Sequence, residues 1–332
     1  MAGLFCSGRQ SGEGTLKTEI GYRVLKSIFI IRRRPEPECR HKRMRQEKRN
    51  KKEDAGKLEK NYQLAPQYRN IACTMVDQGH VVDGFHEVVE EEPTALFING
   101  RHAMTILMSP GNPEDFVTGY LFSEEIIRTP KEIESIRIEK NRLSVITKNL
   151  FKVLPPKKTI LSGCGGSTSY IDLQKLPKIH SDFSVCAERI VAAVRSVPDC
   201  DIHHHATGLH HVVLHNGQQV VAQAEDIGRD NAVDRVIGHA LRTGVFLSQT
   251  FVISSGLVSS ELVRKCLTAN IPVIVSSGAA TALAAEVARK TGMTVIGFSR
   301  GGMMIIYSHP ERIAKGDQMP AGTLPELKIP KL

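Results

Sequence analysis

From Ala232 to Tyr307 the chain alternates helix and strand with few residues to spare, which limits its fold more than any other feature. An apolar helical stretch over Ala232 to Arg242 ends near Gly244, and Thr250 to Ser254 is a short strand-like run. The pattern then repeats. Ser260 to Leu267 leads to Pro272 to Ser276, and Thr281 to Lys290, closed by Gly292, leads to Met293 to Phe298. Met303 to Tyr307 reads as a last strand. Glycine just past a helix supplies the left-handed residue that ends it. Strands joined by single helices pair in parallel, with the helices on the sheet faces. Upstream, Val212 to Leu214 and Val220 to Ala224 flank Asn216-Gly217 and read as a hairpin, which makes the sheet mixed. Cys186 to Val197 reads as a further helix, and no internal repeat is present.

The preceding stretch has a different rhythm. Thr94 to Ile98 and His102 to Met108 surround Asn99-Gly100, the strongest short signal for a two-residue hairpin turn. Asn112-Pro113-Glu114-Asp115 supplies an N-cap, a proline at the first helical position and acids in the first turn. Phe116, Tyr120, Leu121 and Ile127 then give the helix an apolar face, and Glu134 to Lys152 reads as further short strands.

The formal charge of +9 would suit a nucleic-acid-binding protein if it were spread over a folded face. It is not. Met1 to Tyr62 holds 17 Lys+Arg against 8 Asp+Glu, and the remaining residues balance at 27 and 27. A neutral body supports no nucleic-acid face. Arg32 to Lys60 has almost no apolar content and is expected to be a solvated, disordered tail. A start at a downstream methionine such as Met44 is an alternative reading of this segment. No apolar run approaches the ~20 residues that cross a bilayer. Seven cysteines at irregular spacings, with no CxxC pair, suit a reducing compartment, so the chain reads as cytoplasmic. These readings divide it into a basic extension over 1–70, an N-terminal subdomain over 71–155 and a glycine-rich cysteine loop over 156–170. An α/β domain over 171–315 and a flexible tail over 316–332 follow.

Four clusters carry chemistry. In Ser162-Gly163-Cys164-Gly165-Gly166-Ser167 one cysteine stands among three glycines, where it is presented for nucleophilic attack, sulfur carriage or metal ligation, or else fills a tight turn. His203, His204, His205, His210, His211 and His215 crowd a short span. Adjacent strand residues face opposite sides, so three consecutive histidines cannot all reach one ion, and no metal site is expected. Glu225-Asp226-Ile227-Gly228-Arg229-Asp230 lies where a strand hands over to a helix, the usual place for ligands in α/β sheets, with Asp230 the natural N-cap of a helix near Ala232. Ser254-Ser255-Gly256 and Ser276-Ser277-Gly278 end successive strands, and Phe298-Ser299-Arg300-Gly301-Gly302-Met303 has an arginine and bare amides that suit a phosphate or pyrophosphate, or else make an ordinary hairpin turn.

In order, these segments resemble the FdhD family of formate dehydrogenase accessory proteins over roughly Val81 to Ile313. The resemblance rests on Phe97-Ile98-Asn99-Gly100, Gly119 to Glu124, Ser162 to Gly165, Thr207 to His210, Glu225 to Arg229 with Asn231 to Asp234, and Ile296 to Gly302. It implies a cytidine-deaminase-like mixed-sheet α/β domain with an added N-terminal subdomain containing a β-hairpin and a helix. It also implies a sulfurtransferase that accepts persulfide sulfur from a cysteine desulfurase on Cys164. The sulfur then passes to the molybdenum cofactor, bis(molybdopterin guanine dinucleotide), before that cofactor enters the catalytic subunit of formate dehydrogenase. The cofactor would lie at Phe298, Ser299, Arg300, Gly301, Gly302 and Met303, with His210, Glu225, Asp226 and Arg229 as supporting residues, in a homodimer.

The chain departs from the family pattern at four places. Ser167 stands where a second cysteine is usual, Asp230 where a histidine is, Leu257 where an arginine is, and Leu209 where a second glycine is. One thiolate can carry a persulfide alone, but release must then depend on the acceptor or a reductant. The alternative is a non-catalytic chaperone that binds the cofactor without transferring sulfur. A zinc hydrolase ranks below both, because the His-x-Glu and Pro-Cys-x-x-Cys signature of zinc deaminases is missing.

Overall fold

In the computed structural model the described residues are 68–152, 159–160, 167–168, 176–197, 208–300 and 303–314. The first element is a long ribbon of two strands, β1 (Tyr68–Asp77) and β2 (His80–Val89). It turns at Gln78 and Gly79, both in the left-handed region at φ 46° and 86°. Next come β3 (Glu92–Ile98) and β4 (Arg101–Met108), joined through Asn99 and Gly100 at φ 52° and 77°. This is the two-residue turn expected from Asn-Gly. Helix α1 (Pro113–Ser123) follows, then β5 (Ile133–Glu139) and β6 (Arg142–Thr147).

These strands form a four-stranded sheet in the order β4-β3-β6-β5, with β3 and β6 parallel and the other pairs antiparallel. Asn99 ties its centre together, its side chain accepting from the Thr147 backbone N–H at 2.9 Å. Leu96, Ile98, Leu143 and Val145 pack from the sheet onto Phe116, Val117, Tyr120 and Leu121 of α1. Ile127 also belongs to this core but lies beyond the helix, which ends at Ser123 rather than continuing to it. Glu125 leaves the helix at φ 58°, and the chain folds back so that Ile127 donates its N–H to the Leu121 carbonyl.

Two short antiparallel strands, β7 (Thr159–Ile160) and β8 (Ser167–Thr168), lie between this sheet and the next along the chain. Strand β9 (Val185–Cys186) leads into α2 (Ala187–Ser196). The larger sheet is built from β10 (His210–His215) and β11 (Val220–Asp226), then α3 (Arg229–Thr243), β12 (Phe251–Ser254), α4 (Ser260–Thr268), β13 (Val273–Ser276), α5 (Ala282–Thr291), β14 (Thr294–Arg300) and β15 (Met303–Ser308). Its order is β11-β10-β12-β13-β14-β15, with β12, β13 and β14 parallel and β15 antiparallel to β14. A last short strand, β16 (Ile313–Ala314), pairs with β9. The expected mixed-sheet α/β architecture is present. Gly244 and Gly292 end α3 and α5 in the left-handed region, as their positions imply.

The two sheets are joined through α1 and α3. The helices cross at Gly119 and Gly238, so closely that a Cβ on Gly238 would lie 1.8 Å from the Asp115 carbonyl oxygen. Around that contact the seam is polar and buried. Ser123 Oγ donates to Asp234 at 2.8 Å, and Lys265 of α4 holds the same carboxylate at 2.7 and 2.9 Å. Arg235 donates to the carbonyls of Ser109 and Asn112 and to Asp226. Arg264 reaches the Ser123 carbonyl and Glu124. Removing one partner of such a pair strands a buried charge, so the seam tolerates only matched changes.

At its rim, Asp115 accepts from Arg242 and faces His239 Nδ1 at 3.2 Å. Burial pushes the Asp115 carboxyl up, but hydrogen bonds and charge from His239 and Arg242 outweigh it and hold the group below its ordinary 3.8. Its stabilisation is therefore complete above 3.8 and is lost as pH falls through the lower folded value. The melting-temperature gap between wild type and Asp115→Asn is expected to be open near neutral pH and to close in the acid range below 3.8. A gap that stays constant with pH would contradict this reading.

Candidate functional site

Strands β12, β13 and β14 run the same way, so their carboxyl ends meet along one edge where α3, α4 and α5 begin. Three glycines let the loops at this edge stack backbone on backbone. A Cβ on Gly278 would lie 2.4 Å from the Gly256 carbonyl, and one on Gly297 2.7 Å from the Gly278 carbonyl. Phe298 donates its N–H to Gly278 O at 2.8 Å, and Ser276 Oγ donates to the Gly256 carbonyl. The small residues seen in the sequence thus serve close packing of the loops.

Ser259 and Thr281 cap α4 and α5, accepting from Leu262 and Ala284 at 3.2 and 3.1 Å. Helix α3 starts at Arg229 with Gly228 as its N-cap, which corrects the expected Asp230 cap. Asp226 accepts from the Gly228 N–H at 2.9 Å and from the Asn231 side chain at 3.0 Å, which fixes the turn so that the helix opens one residue ahead of Asp230. Three helix N-termini aimed at one sheet edge favour an anion there.

The supporting candidates divide by face. Asp226 is fully buried and is occupied by Arg235, Gly228 and Asn231. Arg229 bridges the loop ahead of α4, donating to the Leu257 carbonyl and to Ser259 Oγ, with its Nε 3.8 Å from Asp230 Oδ1. His210 lies near this guanidinium. Burial first, then the Arg229 charge, lowers its pKa, so the ring is neutral near pH 7. On the opposite face His211 Nε2 meets Glu225 Oε1 at 2.7 Å, the two residues standing directly across β10 and β11. Sequence reasoning placed His211 in the histidine cluster and Glu225 in the strand-to-helix cluster without pairing them. Their pairing depends on register, and the β10–β11 connection spans four residues, closed by the Asn216 side chain accepting from Gln218 and Gln219. His215 has a structural use, accepting from the Gly217 N–H at 2.9 Å and packing on Phe251. Among the described residues no group of three His, Cys, Asp or Glu side chains could hold a metal ion.

Phe298 adopts φ 51° while its ring is 41% exposed, a strained backbone presenting an apolar surface at the sheet edge. Ser299 is buried and Met303 is half-exposed. Arg300 pairs with Met303 across the β14–β15 turn, whose Gly301 and Gly302 lie outside the described residues. Cys164 lies outside them too, as do His203, His204 and His205; the chain on either side of the cysteine is pinned by the pairs Thr159–Thr168 and Ile160–Ser167. Of the cysteines that are described, Cys266 is buried among apolar side chains, which pushes its thiol well up and leaves it inert. No described helix is long and apolar enough to cross a membrane.

The family model described as FdhD/NarQ matches residues 89–314. The sulfur carrier protein FdhD of Wolinella succinogenes is 33% identical over 251 residues, covering 71% of this chain and 86% of that protein. The protein of the same name from Geobacillus kaustophilus is 31% identical over 247 residues, covering 72% and 94%. A crystal structure from Desulfotalea psychrophila, described as that of a formate dehydrogenase accessory protein, shares the fold with a TM-score of 0.63. It is 24% identical and is matched over all its length by 75% of this chain. From Val89 to Ala314, with Cys164 inside the matched span, this chain belongs to the FdhD/NarQ family.

Proposed function

We propose that this protein is a sulfur carrier required for formate dehydrogenase activity, with Cys164 as the carrying residue. The observation that carries this reading is the family match over 89–314 to relatives named as sulfur carriers, with a glycine-set cysteine inside it. The Cys164 thiolate attacks the outer sulfur of a persulfide on a cysteine desulfurase. The donor S–S bond breaks, the desulfurase leaves as a thiolate, and Cys164 holds the persulfide. The outer sulfur would then pass to bis(molybdopterin guanine dinucleotide), bound as substrate at Phe298 to Met303, with Cys164 leaving as a thiolate and the electron pair supplied by the acceptor or a reductant, before the catalytic subunit of formate dehydrogenase receives the cofactor. The sheet edge suits such a substrate in its helix N-termini, its bare glycine backbone and the exposed Phe298 ring.

Ser167 favours a second reading, a chaperone that binds the cofactor without transferring sulfur, because the loop carries no second cysteine to resolve the persulfide. Incubation with a cysteine desulfurase and cysteine, followed by intact-mass measurement, separates the two. One added sulfur, mapped to Cys164 and removed by a thiol reductant, is expected. No added sulfur, in a run where a two-cysteine relative is loaded, would leave the chaperone.

A further inference from the structure

The chain that carries Cys164 runs from the end of β6 to His180, and its two ends are fastened differently. Downstream, three consecutive residues each bond to a different part of the larger domain. Ile179 donates its N–H to the Thr291 carbonyl at 2.8 Å, and Ser181 Oγ donates to the Ser248 carbonyl at 2.6 Å. Between them, the Asn270 side chain holds both backbone groups of His180 at 2.9 Å. Upstream the hold is thinner. Leu150 and Phe151 are exposed, Phe151 by 95%, so apolar packing does not fasten the stretch that follows β6. Among the described residues, the hydrogen bonds that join Asn149 and Lys152 to another element come from a single side chain, that of Asn99.

Asn99 does this from the β3–β4 turn, where its backbone sits at φ 52°, a conformation asparagine tolerates. The two ends of its amide have separate tasks. Oδ1 accepts from the Thr147 N–H at 2.9 Å and fixes the end of β6. Nδ2 donates to Thr147 Oγ1 at 3.0 Å and to the carbonyls of Asn149 and Lys152 at 3.3 and 3.4 Å. Asn149 in turn accepts from the N–H groups of Phe151 and Lys152, each at 3.2 Å. Residues 149–152 thus form one compact turn hung on Asn99.

We propose that Asn99 is a positioning residue for Cys164: by holding Lys152 it fixes the point from which the cysteine-bearing segment springs. The inference rests on the carrier reading of Cys164. Its size follows from chain reach. From Lys152 to Thr159, where β7 begins, the chain can span at most ~25 Å. Without the Nδ2 bonds the last upstream anchor is Lys148, whose N–H donates to the Glu132 carbonyl at 2.9 Å. The reach then grows to ~40 Å. A longer tether dilutes the thiol at a docked sulfur donor, by about two- to fourfold for this change in length.

The test uses the full chain, loaded by a cysteine desulfurase and cysteine and followed over time by intact mass at rising desulfurase concentration. Asn99→Asp keeps the acceptor for Thr147 and removes the donor. Asn99→Gly keeps the left-handed turn and removes both, and Asn99→Asp decides if the glycine variant melts early. In each, trypsin under native conditions is expected to cut after Lys152 about tenfold faster than in wild type. The saturating loading rate is expected to fall about two- to fourfold with half-saturation unchanged, since the change moves the thiol and not the docking surface. Asn270→Gly leaves Ile179 and Ser181 fastened and is expected to load at the wild-type rate. Unchanged cutting after Lys152 overturns the proposal, and so does faster cutting with unaltered loading. A loss confined to half-saturation would place Asn99 in donor docking and overturns it as well. A wild-type chain that takes up no sulfur defeats the carrier reading and this inference together. Wild-type loading matched by both Asn99 variants defeats this inference alone.

Discussion

A chain carrying Cys164→Ala is expected to leave formate dehydrogenase inactive when it is the only protein of its family in the cell, about a hundredfold or more below wild type. The size follows from chemistry. Alanine offers no nucleophile, and the described cysteines cannot take over. Cys266 is sealed in the core with its thiol pushed well up, while Cys73 and Cys186 stand in strands outside the glycine loop. Cys266→Ala, matched for protein level, is expected to retain activity and so serves as the control. Ser167→Cys restores the family's usual pair and is expected to shorten the life of the Cys164 persulfide, with a disulfide between Cys164 and the introduced thiol appearing in its place. Full activity of Cys164→Ala at normal protein level would transfer the function to cofactor binding alone.

Gly238→Ala is expected to destabilise the protein by roughly 3 kcal/mol or more and to lower its melting temperature by about 10 °C. Most glycine-to-alanine changes within helices are favourable by up to about 1 kcal/mol. Here the added methyl would meet the Asp115 carbonyl at 1.8 Å, and the Gly119 N–H at 2.7 Å. Neither is a flexible side-chain end, so α1 and α3 must separate. Separation stretches the Ser123–Asp234 bond and the Arg235 bonds to Ser109 and Asn112, which hold the smaller sheet on the larger. Thermal melts of Gly238→Ala beside Gly244→Ala separate packing from backbone strain, since open space surrounds Gly244. A Gly238→Ala chain as stable as wild type would mean that the helices do not cross this closely.

Much of both sheets is legible in the sequence because the signals are local. Gly244 and Gly292 end helices, Asn99-Gly100 turns a hairpin, and Pro113 opens α1, each through backbone geometry set by a few neighbours. The β1–β2 ribbon is not legible as a ribbon. Its turn is Gln78-Gly79, and apolar residues on both faces leave no clean alternation to read. The cap of α3 is misplaced from sequence because Asp226, three residues before the helix, fixes the Gly228 turn through its N–H, a contact that periodicity does not reveal. The pairing of His211 with Glu225 escapes notice because it exists only once the strand register is fixed. The seam between the sheets is likewise a matter of distance along the chain: Gly119 and Gly238 carry no mark in the sequence that says they touch.

That separation also sets a timetable for synthesis. Ser123 and Asp234, bonded in the folded protein, are 111 residues apart. At roughly 5–20 residues per second, a ribosome takes about 6–20 s to make the intervening chain. Through that interval α1 has its small sheet to pack on but lacks the helix its other side requires. The cysteine loop is translated within the same window, before α3 exists to close the seam. A nascent chain stalled ahead of α3 therefore holds the smaller sheet without the helix that closes its seam.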